Sequence, residues 1–353
     1  MAHFPFVIYL CAIFCHQVVA RVVITKNVAY DSGPSEWKST VKSRPFDAFI
    51  GLPYAKPPLA DLRFALPKPS DIKGHFYAGI ADNPRMTTVC TQMDFQERVD
   101  GQEDCLILHI YVPGNASFRE CPLRECPLRE SALQSHFAFS GNQNETKLPV
   151  MFWIHGGGFF AGGASPSFYG PEHFMDHDII LIAVNYRLGA LGFSTLENDL
   201  MPGNLGIHDL VLALKWVQEN VGFFGGASGR VTLMGESAGG MASMYLMMSP
   251  QAKGLFHGAI VQSGPIISSY THWDKRPSLY ARRLAKDLGC DNDDDQGDQI
   301  LTPQMADFLK DQKPYFSFFG KNVSFWLLCN QFLSKNYHSC HASFLKSLMP
   351  KMA

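Results

Sequence analysis

The chain has 353 residues, 46% of them hydrophobic, and a formal net charge of -2. That is enough apolar material for one large core or two modest ones. The near-neutral balance gives no polyanion-binding signature, so nucleic acid is not an expected partner.

The first twenty residues, MAHFPFVIYLCAIFCHQVVA, carry an apolar run from Phe4 to Phe14, a polar break at His16 and Gln17, and Val18 and Ala20 placed for signal-peptidase cleavage. They predict a signal peptide over 1–20 and a secreted mature chain that starts at Arg21. The positive charge before the apolar run is limited to His3 and the amino terminus, which keeps an uncleaved anchor as the alternative. The run itself is shorter than a bilayer-spanning helix needs, and no membrane span is expected in the mature chain. Of nine cysteines, Cys11 and Cys15 leave with the leader, and the remaining seven, Cys90, Cys105, Cys121, Cys126, Cys290, Cys329 and Cys340, leave at least one unpaired or intermolecular in an oxidising compartment. Asn115, Asn144 and Asn322 each begin an acceptor pattern for N-glycosylation, which has meaning behind a leader.

Between Glu120 and Glu130 the unit ECPLR is written twice. So short a tandem copy with a proline in each unit makes no packed element and reads as a surface-loop insertion or a duplication slip. From Leu148 onward apolar strands alternate with amphipathic helices, the order of an α/β fold with a mostly parallel central sheet flanked by helices. Strands are predicted at Pro149 to Ile154, Ile179 to Val184, Val231 to Met234 and Ala259 to Gln262. Ile207, Leu210, Leu214, Val217 and Val221 recur at helical spacing, with Trp216 beside them. A second helix is predicted from about Pro277 to Leu288, with Tyr280, Leu284 and Leu288 on one face and Gly289 as its stop. The thirty-nine residues from Tyr315 to Ala353 hold four lysines and no acid, and differ from what precedes them. Their apolar run from Phe325 to Leu333 is too short to span a bilayer.

Gly235 to Gly239 read Gly-Glu-Ser-Ala-Gly, between the strand VTLM and the helical stretch AGGMASMYLMM. A serine hydroxyl is a poor nucleophile at neutral pH and has to be held exposed beside a base, with donors ready for the oxyanion it creates. A tight strand-to-helix turn with small flanking residues meets the first need and makes Ser237 the candidate nucleophile. The turn also sets Ser237 at a helix N-terminus, where the Ala238 amide and the dipole favour developing negative charge. Upstream, PVMFWI runs into His155-Gly156-Gly157-Gly158-Phe159, whose three glycines let backbone amides turn inward.

The sequence resembles the type-B carboxylesterase and cholinesterase family, most like its invertebrate members, over about Arg21 to Lys321. Besides the HGGGF loop and the Ser237 elbow, the resemblance rests on FDAFIGLPYAKPPLADLRFALPKP (Phe46 to Pro69), EDCLILHIYVP (Glu103 to Pro113) and NYRLGALGF (Asn185 to Phe193). It rests further on GNLGIHDLVLALKWVQENVGFFGG (Gly203 to Gly226) and GLFHGAIVQSG (Gly254 to Gly264). It implies an α/β-hydrolase fold, a small-molecule ester substrate, and chemistry that needs no metal or organic cofactor. It also implies oxyanion amides from Gly157, Gly158 and Ala238, and a disulfide between Cys90 and Cys105. Closing that fourteen-residue loop restricts the denatured chain by roughly 3 kcal/mol.

α/β hydrolases order their triad as serine, then acid, then histidine, and the family places the acid more than a hundred residues after the serine and the histidine about as far again. Neither has a counterpart here: no acidic residue follows Asp311, and Asp287 and the run from Asp291 to Asp298 do not sit in the family's acid context. After the elbow the histidines are His257, His272, His338 and His341. The resemblance assigns His257 a structural position just before a strand, and His338 and His341 around Cys340 lack zinc spacing with Cys329. His155 reads as a packing or loop-orienting residue rather than a base. The expectation is therefore an incomplete hydrolase domain over 21–322 and a non-matching tail over 323–353, with activity impaired for want of acid and histidine. A truncated esterase, a pseudoenzyme and an adhesion or binding member of the family compete; the intact Ser237, Glu236 and HGGGF loop favour truncation. The family's Asp-Gln is replaced by Asp209-Leu210 and its Gly-Asp-Pro by Gly226-Ala227-Ser228. Between Cys90 and Cys105 there is no tryptophan to hold a quaternary ammonium, which disfavours choline esters. Gln296 and Thr302 stand where a calcium loop starting at Asp291 requires glycine and glutamate, and Met241, Met244, Met247 and Met248 read as adaptable core.

Overall fold

The structure, a computed structural model, describes residues 22–25, 28–31, 42, 44–79, 83–93, 99–114, 147–266 and 278–287. The predicted leader, the sequons at Asn115, Asn144 and Asn322, the repeat from Glu120 to Glu130 and the acidic run from Asp291 lie outside the described residues. So do Cys121, Cys126, Cys290, Cys329, Cys340, His272, His338, His341 and the tail from Tyr315.

In chain order the strands are β1 (Val22–Ile24), β2 (Val28–Asp31), β3 (Phe46–Pro53), β4 (Gly74–Tyr77), β5 (Gln92–Met93), β6 (Val99–Asp100), β7 (Ile107–Pro113), β8 (Leu148–Ile154), β9 (Ile180–Val184), β10 (Gly226–Glu236) and β11 (Gly258–Gln262). The helices are α1 (Gly189–Phe193), α2 (Leu205–Asn220), α3 (Ala238–Met248) and α4 (Ser278–Asp287). Six strands form the central sheet in the order β11-β10-β8-β9-β7-β3. The four from β11 to β9 run parallel, and β7 is antiparallel to both of its neighbours.

Both faces of this sheet are covered. Val150, Phe152 and Ile154 of β8 join Ile180, Ile182 and Val184 of β9 in the main core, together with Leu210, Leu214, Val217 and Val221 from α2 and the turn after it. Leu181 of β9 points the other way, into a smaller cluster with Phe46, Ile50, Tyr111 and Met175, against which Met151 and Trp153 pack. Alternate side chains on a strand go to opposite faces, so burial on both sides produces the continuous apolar runs seen in the sequence.

The four predicted strands are present, three of them within one residue of expectation. The strand before the elbow starts at Gly226 instead of Val231, because Gly226 pairs with Leu148 before a register shift brings Val231 beside Val150. Strands β3 and β7 are buried along their whole length. They pair across an irregularity between Phe49 and Leu52, where Gly51 N–H donates to Nδ1 of the buried His109 at 3.0 Å. Among the described residues no helix is long and apolar enough to cross a membrane.

Candidate active site

Ser237 joins β10 to α3 with φ 54 and ψ -120, a backbone conformation that costs a non-glycine residue about 1–3 kcal/mol. The surroundings enforce it. Ser237 N–H donates to the Gln262 carbonyl at the end of β11 at 2.8 Å, and its own carbonyl accepts from Met241 N–H at 2.9 Å. A Cβ on Gly235 would lie 2.2 Å from the Gly239 carbonyl oxygen, so no side chain fits inside the turn. The Ser237 side chain is half-buried, and among the described residues its hydroxyl has no hydrogen-bond partner.

The glycine loop arrives at the same place because β8 is the parallel neighbour of β10, with Ile154 in register with Gly235. A Cβ on Gly156 would lie 3.2 Å from Ser237 Cβ, which puts the loop directly against the elbow. The Gly156 carbonyl accepts from His155 Nδ1 at 2.8 Å, and the Gly157 carbonyl accepts from the amides of Phe160 and Ala161, both at 3.0 Å. In a trans peptide the N–H points opposite to the C=O, so the Gly157 and Gly158 amides face away from these anchors. Reaching that orientation takes φ values of 102 and 62, which glycine adopts freely. Neither amide donates to a described residue, nor does that of Ala238 at the first position of α3. Three unpaired donors flanking a strained serine are suited to an oxygen that gains negative charge.

His155 holds the loop. Its ring is buried, stacks on Tyr186 at 4.5 Å, and has its pKa pushed down to about 4 by burial, against the opposing pull of the Gly156 hydrogen bond. Because a carbonyl only accepts, Nδ1 carries the proton, and the Tyr186 hydroxyl fixes the residue's carbonyl at 3.0 Å. His257 precedes β11 at the opposite end of the sheet from Ser237; its amide donates to Val231 O at 2.7 Å and its Nδ1 accepts from Val231 N–H at 3.3 Å. Asp287 closes α4, and no described carboxylate or histidine hydrogen-bonds the Ser237 hydroxyl.

Three further features tie distant segments of the chain together. Cys90 and Cys105 are joined in a disulfide. Asp209, flagged for its unusual neighbour Leu210, forms a buried bidentate pair with Arg187 at 2.7 and 2.9 Å, while Leu210 packs in the core. Arg63 and Glu103 form a second buried pair at 2.6 and 2.7 Å. Gln92, whose carboxamide reaches the glycine loop, belongs to no motif that marks it in the sequence.

A family model described as "Carboxylesterase family" matches residues 34–341. The chain belongs to this carboxylesterase family. Among its relatives, the juvenile hormone esterase of Tribolium castaneum is 41% identical over 225 residues, covering 63% of this chain and 33% of that protein. The pyrethroid hydrolase Ces2a of Mus musculus is 35% identical over 261 residues, covering 70% of this chain and 41% of the relative. The crystal structure of juvenile hormone esterase from Manduca sexta, with OTFP covalently attached, superposes with a TM-score of 0.67 at 30% identity, over 84% of this chain and 50% of that one. This carboxylesterase-family chain thus has the α/β-hydrolase fold, and it spans half or less of the length of these relatives.

Proposed function

We propose that the protein is a secreted serine carboxylic-ester hydrolase that works through an acyl-serine intermediate on Ser237. Ser237 Oγ attacks the ester carbonyl carbon, its proton passes to a general base, and the carbonyl oxygen becomes an oxyanion received by the amides of Gly157, Gly158 and Ala238. Collapse expels the alcohol, and water then releases the acid. The observation that carries this reading is the strained Ser237 turn with Gly156 pressed against it, its virtual Cβ 3.2 Å from that of the serine.

Relatives named juvenile hormone esterase and pyrethroid hydrolase support a small carboxylic ester as substrate. The leader over 1–20, the sequons at Asn115, Asn144 and Asn322 and the Cys90–Cys105 disulfide support secretion and glycosylation. Turnover by these residues alone is expected to be slow, since no base contacts Ser237 among the described residues, and removing the base from a serine triad costs orders of magnitude in rate. The competing reading is an inactive binding protein. A fluorophosphonate probe separates the two: labelling of the wild-type protein that Ser237→Ala abolishes supports the esterase, and labelling unchanged by Ser237→Ala refutes the assignment.

A further inference from the structure

The Gln92 carboxamide is saturated by backbone. Its Oε1 accepts from Gly162 N–H at 2.7 Å, while its Nε2 donates to Gly162 O at 2.8 Å and to Cys90 O at 3.0 Å. Both polar groups of one glycine are thus gripped by a single buried side chain, as a neighbouring strand would grip them. Gly162 is no passive partner. It has φ +105, and a Cβ there would lie 2.6 Å from both Gly156 O and His155 Nδ1. Gly162 therefore faces the two atoms whose hydrogen bond sets the Gly156–Gly157 peptide, with no room for a side chain between them. On the other side, Cys90 O is tied through the Cys90–Cys105 disulfide to the residues that lead into β7.

We propose that Gln92 is a positioning residue for the reaction described above: it locks Gly162 against the Gly156 carbonyl and His155, and so aims the Gly157 and Gly158 amides beside Ser237, with the disulfide as its fixed point. The clamp rests on the esterase reading only for its chemical consequence. Leucine at position 92 fills nearly the same volume and removes every hydrogen bond to Gly162. Glutamate keeps the acceptor, but as a carboxylate it faces the Gly162 carbonyl with no proton to donate, and regains one only when protonated.

Two measurements on the full chain test this. With a p-nitrophenyl ester, Gln92→Leu is expected to lower kcat at least about tenfold with KM nearly unchanged, since a loosened oxyanion donor acts in the transition state. Gln92→Glu is expected to recover relative to wild type as the pH falls from about 8 to about 5, towards the glutamate range. In parallel, hydrogen exchange over residues 156–163 is expected to accelerate in Gln92→Leu while β8 and β10 keep their protection. Unchanged kcat in Gln92→Leu, or exchange over 156–163 equal to wild type, overturns the clamp. Fluorophosphonate labelling unchanged by Ser237→Ala refutes the esterase reading instead, and the exchange measurement still decides the clamp.

Discussion

Gly239 and Ile154 meet so closely that a Cβ on the glycine would lie 2.0 Å from the Ile154 carbonyl oxygen. The obstacle is the backbone of β8, which is paired on both sides and has nowhere to move. Gly239→Ala is expected to cost at least the upper end of the roughly 1–3 kcal/mol of overpacking. It also pushes the elbow off the glycine loop, so fluorophosphonate labelling of Ser237 should slow by at least about tenfold. Urea denaturation and labelling rate together check this; an alanine variant with wild-type values for both contradicts the packing described.

The Arg187–Asp209 pair joins α2 to the turn after β9, and Arg187 also donates to the carbonyls of Arg63 at 3.1 Å and Ala65 at 3.0 Å. Asp209→Asn keeps the shape but leaves a buried guanidinium uncompensated, for which a loss of about 3–5 kcal/mol is expected. The urea midpoint reports it. The exposed pair of Lys56 with Asp71 is the contrast: Asp71→Asn should change the midpoint little.

Stability should fall in mild acid. His109 and His155 are each buried with the pKa pushed down to about 4 from 6.5, so both stay neutral in the folded protein. The unfolded chain takes up a proton at each as the pH drops below 6.5, and it alone is protonated until about 4. Stabilisation present above that window is therefore lost on descending through it, by up to about 1.4 kcal/mol per pH unit for each histidine. Urea melts between about pH 7 and about pH 4.5 measure the slope. In His109→Asn it should be shallower by about one proton, and an unaltered slope contradicts the assignment.

Opening the Cys90–Cys105 disulfide frees a loop whose ends are 15 residues apart in sequence, with an expected loss of roughly 3 kcal/mol. Cys105→Ala should show that loss without a reducing agent, whereas wild type should show it only with one. Equal stability of wild type with and without reductant counts against the bond.

The serine turn and the glycine loop were legible because each is written in consecutive residues, and the parallel strands because branched residues crowd into short runs ending in turns. Strands β3 and β7 stand out in the sequence only through the family motifs they carry. Their side chains are buried on both faces, so neither alternates, and His109 and Asp47 inside them look polar until the fold surrounds them. Asp209 was noticed for its neighbour, yet its partner Arg187 lies 22 positions earlier. Gln92 meets Gly162 across 70 positions of sequence. Such pairings exist only after the sheet has brought distant segments together, and no local pattern announces them.

The antiparallel placement of β7 settles where the chain tolerates change in length. Phe46 pairs with Pro113, and Leu148 pairs with Gly226, so β7 ends and β8 begins at the sheet end opposite Ser237. Gly114 and Lys147, the described residues on either side of the interval between β7 and β8, therefore lie at the end of the sheet remote from the nucleophile. Doubling the length of such a connection costs only about 0.6 kcal/mol of closure entropy. The duplicated ECPLR falls within this interval of the sequence, and an affinity tag or a fluorescent partner spliced in between the same two ends leaves the serine turn its geometry.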